Sequence, residues 1–126
     1  MAHMGLTEAE WQVMECLWAA APQTGRAIID ALHETTGWSR STTLTLLRRL
    51  EDKGAVSAES EGGVKHYRPQ VAREDAAVQE TEHLLERVYQ GSVSLMVSSL
   101  VKKQTLPQEE IDKLYAILRE MEEEHD

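Results

Sequence analysis

Apolar side chains recur along this chain at helical spacing, with one stretch that alternates instead. Trp11, Met14, Leu17 and Trp18 lie three or four apart behind Thr7-Glu8-Ala9-Glu10, a capping-box sequence preceded by Leu6, so a first helix is predicted to end near Ala20 to Pro22. Ile28, Ile29 and Leu32 form a second stripe, opened by Thr24 or Gly25 and broken at Thr35-Thr36-Gly37. A third helix, capped by Ser39, carries Leu44, Leu47 and Leu50 at i, i+3, i+6 as its expected buried face, and Gly54 suits a left-handed stop. The period then shortens. Ala55 to Ser60, a Glu61-Gly62-Gly63 turn and Val64 to Arg68 read as a hairpin that Pro69 ends, with Tyr67 expected to point inward and His66 to the other side.

Beyond Pro69 only helical patterns remain. Residues 73–90 place Val78, Leu84, Leu85 and Val88 among charges and close at Gly91. Residues 92–103 spread Val93, Leu95, Met96, Val97, Leu100 and Val101 around most of the circumference, as expected of a helix buried between neighbours. A last helix, from about Pro107 to Glu124, begins with Glu109, Glu110 and Asp112 at the positive end of its dipole and bears a stripe of Ile111, Leu114, Tyr115, Leu118 and Met121. The predicted fold class is mainly α with a small β-wing: an N-terminal winged helix-turn-helix over residues 5–71 and a three-helix C-terminal arm over 72–126.

The third helix has a second face of different chemistry. Arg40, Ser41, Thr42, Thr45, Arg48 and Arg49 mix short hydroxyls with guanidiniums, groups suited to reading base edges and gripping phosphates in a DNA major groove. Ser41, Thr42 and Thr45 are the candidates for base contact. Arg40, Arg48 and Arg49, with Lys65 and His66 from the hairpin, are the candidates for the DNA backbone. Each arginine could instead be an exposed helix residue paired with Glu51 or Asp52, and Trp38, just before the cap, is expected to pack on the core.

The net charge of −9 argues against a nucleic-acid partner until its distribution is considered. Residues 1–71 hold 7 basic and 9 acidic side chains, whereas residues 72–126 hold 6 and 13. Within 37–71 the balance is 6 basic to 4 acidic. Salt screens charges beyond roughly 8 Å, so a locally basic surface is compatible with an acidic body, at the cost of modest, salt-sensitive binding. The lone Cys16 allows no intrachain disulfide and is expected to be a buried apolar thiol. No apolar run approaches the roughly 18 residues of a membrane span, and no signal peptide is recognisable, so a cytoplasmic protein without membrane insertion is expected. Met1-Ala2-His3-Met4 reads as a leader added in cloning and is expected to lie outside the fold.

The three C-terminal helices carry more apolar side chains than some 55 residues can enclose, and burying each is worth roughly 1.5–3 kcal/mol. A homodimer is the expected remedy, with Leu84, Leu85, Val88, Val93, Met96, Val97, Leu100, Ile111, Leu114, Tyr115 and Leu118 as candidate dimerisation residues. Its two-fold axis would set two reading helices about 34–36 Å apart, matching a palindromic double-stranded DNA operator.

Leu6 to Met14, Trp38-Ser39 with Thr42 to Leu50, Lys53-Gly54-Ala55, Tyr67-Arg68-Pro69, Tyr89-Gln90-Gly91-Ser92 and Leu106 to Leu118 together resemble the BlaI/MecI penicillinase-repressor family, over nearly the whole chain from residue 6. The resemblance implies a winged-helix dimer with intertwined C-terminal helices that represses promoters of resistance or stress genes. It also implies release by a membrane sensor metalloprotease that cuts the arm. The family's Asn-Phe cleavage bond aligns with Ser99-Leu100, where both residues differ. The Pro-Lys pair common after Trp-Ser is replaced by Arg40-Ser41. The paired C-terminal cysteines of copper-responsive cousins have no counterpart, so neither a metal nor another cofactor is expected.

Two other classes stay open on the residues alone: an effector-binding winged-helix regulator, which a ligand-shaped cavity in the arm would favour, and a winged helix that docks protein. Catalysis finds no support. His33-Glu34-Thr35-Thr36-Gly37 lacks the second histidine of a zinc-protease helix, Glu80-Thr81-Glu82-His83 reads as a charged helix face, and Gly62-Gly63 as a hairpin turn.

Overall fold

A computed structural model describes residues 4–103 and 106–125, with backbone alone at Lys103. The elements run α1 (Glu8–Ala19), β1 (Gln23–Thr24), α2 (Gly25–Thr36), α3 (Arg40–Asp52), β2 (Val56–Glu61), β3 (Val64–Pro69), α4 (Arg73–Tyr89), α5 (Val93–Lys103) and α6 (Gln108–His125). Three hydroxyl caps start the first three helices. Thr7 accepts from the Glu10 N–H while the Glu10 carboxylate accepts from the Thr7 N–H, closing the capping box, and Thr24 and Ser39 accept from Ala27 and Thr42. Gly37 stops α2 at φ 78°, its N–H donating to the His33 carbonyl.

The strands form one antiparallel sheet in the order β1-β3-β2. Gln23 and Thr24 face Tyr67 and His66, and β2 runs from Val56 opposite Pro69 to Glu61 opposite Val64. β1 escapes a search for alternation because it is two residues long and ends in the α2 cap. By pairing on the far side of β3 it makes that strand central, which places Tyr67 in the core as expected.

Val13, Met14 and Leu17 of α1, Ile28 and Leu32 of α2, and Leu46, Leu47 and Leu50 of α3 converge with Ala55, Val56 and Tyr67 into one core. Two expectations are corrected here. The buried face of α3 is Thr43, Leu46, Leu47 and Leu50, while Leu44 is half-exposed. Spacing i, i+3, i+4, i+7 follows a 3.6-residue turn, whereas i, i+3, i+6 drifts off the face. Met4, excluded as a leader residue, packs partly buried against the core, as do Leu6, Cys16 and Trp38.

The chain divides into two compact units, one reaching His83 and the other starting at Leu84. The first unit extends past the 71/72 boundary expected from the pattern because Ala76 and Gln79, early in α4, are buried. In the second unit α6 has no buried residue among those described. The expectation of an enclosed α5 fails within one chain: Val93, Leu95, Leu100 and Val101 are each about half exposed. One other helix, α6, and the end of α4 cannot surround it. Leu84, Val88, Leu114, Tyr115 and Leu118 are also exposed, whereas Leu85, Met96, Val97 and Ile111 are half-buried.

Candidate nucleic-acid interface

Ser39 organises the start of α3. Its Oγ accepts from the Thr42 N–H at 3.3 Å and lies 3.1 Å from both Ser41 Oγ and Thr42 Oγ1, so three hydroxyls cluster where the helix presents its positive end. Thr45 Oγ1 donates to the Ser41 carbonyl at 2.9 Å, which occupies its proton and leaves its acceptor lone pairs and methyl group outward. Arg40, Ser41, Thr42, Thr45, Arg48 and Arg49 are all exposed. No ion pair joins Arg40, Arg48 or Arg49 to a carboxylate among the described residues, so the expected alternative of pairing with Glu51 or Asp52 is not realised.

The hairpin does not bring its two candidates to one face. Alternation along β3 puts Lys65 on the side of Tyr67 and His66 on the side of Arg68. Lys65 is exposed, and His66 is half-buried with Nδ1 3.1 Å from the Val64 carbonyl oxygen. Arg68 is partly engaged, its Nη2 3.9 Å from Glu61 Oε1.

Two cations escaped the sequence reading. Arg26 sits in the first turn of α2, loosely paired with Asp30 at 3.9 Å and almost fully exposed. Its signal was its place just inside the Thr24-Gly25 start, the end of a helix-turn-helix's first helix that crosses the DNA backbone. Lys53, the C-cap of α3, turns inward: its Nζ lies 2.6 Å from Glu10 Oε1 and donates to the Gly5 carbonyl at 2.7 Å. A capping-box glutamate is normally wet, and nothing local announces that Glu10 is wholly enclosed. Burial of its carboxyl opposes ionisation, yet Lys53 and the Thr7 N–H hold it below its usual range. The pair ties the end of α3 to the start of α1.

Cys16 is only partly buried, and burial pushes its thiol upward, so it remains protonated at neutral pH.

Comparison with known proteins agrees with this geometry. A sequence profile of the penicillinase repressor family matches residues 6–120. The penicillinase repressor of Bacillus licheniformis is 34% identical over 115 residues, spanning 91% of this chain and 90% of its own length. The methicillin resistance regulatory protein MecI of Staphylococcus aureus (strain N315) is 29% identical over 113 residues, spanning 90% and 92%. The solution structure of the DNA binding domain of the repressor BlaI superposes with a TM-score of 0.54 at 32% identity, covering 59% of this chain and 90% of that one. The monomeric form of Bacillus licheniformis BlaI, solved in complex with the blaP half-operator, gives 0.50 at 35% identity, covering 55% and 84%. The family profile and the sequence relatives run along almost the full length of the chain, the solved structures share its winged-helix part, and the chain belongs to the penicillinase repressor family.

Proposed function

We propose that this chain is a transcriptional repressor that binds double-stranded operator DNA as a homodimer, a regulator and not an enzyme. The observation that carries this reading is the outer face of α3, where six exposed hydroxyl and guanidinium side chains stand free of carboxylates among the described residues. Ser41, Thr42 and Thr45 read base edges, while Arg40, Arg48 and Arg49, joined by Arg26 and by the exposed Lys65, hold phosphates; His66, on the opposite side of β3 from Lys65, falls outside this set. BlaI, solved in complex with the blaP half-operator and similar to this chain over its winged-helix part, is the precedent for this fold on DNA.

Dimerisation is supported by the second unit. An apolar groove of 790 Å³ between α5 and α6 is walled by Val93, Val97, Val101, Leu114, Ile117 and Leu118. Ser94, Ser98 and Lys102 also line it, but its walls are chiefly aliphatic, and a helix of a second copy laid along them would cover the stripes left exposed on α5 and α6. No helix among the described residues is long and apolar enough to cross a membrane, and a repressor acts where its DNA lies, in the cytoplasm. A membrane sensor metalloprotease cutting Ser99–Leu100 would sever α5 and release the operator. Ser99 Oγ lies 2.8 Å from Tyr89 Oη and donates to the Met96 carbonyl, so cutting there requires local unwinding of the helix.

Mobility shifts on duplexes selected from a random pool, paired with sedimentation of the free protein, test the proposal. The expected result is a dimer that shifts a symmetric duplex at low salt and releases it steeply as salt rises. A stable dimer with no shift at low salt would overturn it in favour of a protein-docking module.

A further inference from the structure

The root of α4 is fastened to α1 by contacts that the reading face does not use. The Trp18 indole N–H donates to the Val71 carbonyl at 2.9 Å. Arg73 donates from Nε to Glu15 Oε1 at 2.6 Å and from Nη2 to Oε2 at 3.4 Å, a forked pair, and its guanidinium carbon lies 6.0 Å from the Trp11 ring centre. Trp11 and Trp18 meet edge to face at 5.1 Å. Gln70, the first of the three residues that join β3 to α4, is also held, since its N–H donates to the Ala55 carbonyl and its side chain to Ser57 Oγ. One turn further on, Ala76 and Gln79 are buried. The first two turns of α4 therefore belong to the winged-helix unit, held there by a few specific side-chain bonds and two buried residues.

We propose that Trp18 and Arg73 are positioning residues that fix the course on which α4 leaves the winged-helix unit, and so the half-site spacing that two joined copies accept. The proposal rests on the dimeric operator-binding reading above. Its physical basis is leverage: a 17-residue helix is about 25 Å long, so a tilt of about 10° at the root moves its far end by about 4 Å. An indole N–H and a forked guanidinium constrain direction, which aliphatic packing alone does not.

The full-length chain and its W18F, R73Q and double variants should be titrated on a duplex with one half-site and on a series with two half-sites at different separations. Hydrogen exchange on the free proteins gives a readout independent of DNA. Changing the separation by about two base pairs turns one half-site by roughly 70°, and the wild-type chain should lose about tenfold or more in affinity for it. The double variant should keep single-half-site affinity within about twofold, flatten the spacing penalty to less than about threefold, and exchange the amides of Ala76 to Gln79 about tenfold faster. R73K should restore part of the spacing preference. Unchanged exchange, or single-half-site affinity falling in step with the full operator, would overturn the positioning role. A wild-type chain that gains nothing from a second half-site at any separation would overturn the dimeric reading itself, and this proposal with it.

Discussion

Glu10 and Lys53 carry the clearest consequence at the level of single residues. A carboxyl held below its usual pKa of 4.5 contributes stability that is fully present above that value and is lost as pH falls through the lower folded one. Lys53→Met would leave a completely enclosed carboxylate without its cation, destabilising the fold by about 3 kcal/mol at pH 7. Without the lysine Glu10 protonates more readily, so the deficit should narrow as pH falls toward 4, as urea titrations at both pH values would show. A deficit independent of pH would mean that Lys53 acts through packing alone. On the reading face, Thr42→Ala keeps the Ser39 cap, which uses the Thr42 backbone N–H. It should cost about 1–3 kcal/mol on the preferred operator and little on random duplex. Lys65→Ala should weaken both alike and lower the salt slope by about one. Equal losses from both variants, on both duplexes, would contradict the division between base and backbone contacts.

At the level of elements, each helix end rests on a local signal that can be tested singly. Gly54 holds φ at 78° with open space where a Cβ would go, so Gly54→Ala should cost about 1–2 kcal/mol from backbone conformation alone, measured by chemical denaturation. A loss well above that would point to a contact hidden in the α3–β2 turn. These same local signals explain what was legible beforehand. Thr7, Thr24 and Ser39 start their helices as their hydroxyls suggested, and the glycine pair at 62 and 63 turns the wing, because caps and turns are decided within a few residues. The buried face of α3 was misjudged by one step because Thr43, polar by type, sits in the core while Leu44 does not. β1 exists only through its partner in β3, and the Glu10–Lys53 pair joins residues 43 apart, so neither leaves a local trace. The exposed hydroxyl and guanidinium face of α3 was legible because it is set by helical phase from the Ser39 cap. The opposite sides taken by Lys65 and His66 also followed from strand alternation, although both had been assigned to DNA.

For the molecule as a whole, the two units divide the work by chemistry. The winged-helix unit has an enclosed core and an open polar helix, whereas the second has uncovered apolar stripes. A lone copy with that second unit leaves surface wet at roughly 25 cal/mol per Å², while two copies joined there would cover it and present α3 twice. Within residues 37–71 the 6 basic side chains outnumber the 4 acidic ones, so the exposed face of α3 lies in a locally basic stretch of an acidic chain. The most direct test is a hydroxyl-radical footprint on a symmetric operator selected from random duplexes. Two equivalent protected patches about 34–36 Å apart, both lost when Arg40 and Arg48 are replaced by alanine, are the predicted result. A dimer that protects a single patch, or one whose protection survives loss of both arginines, would contradict the account.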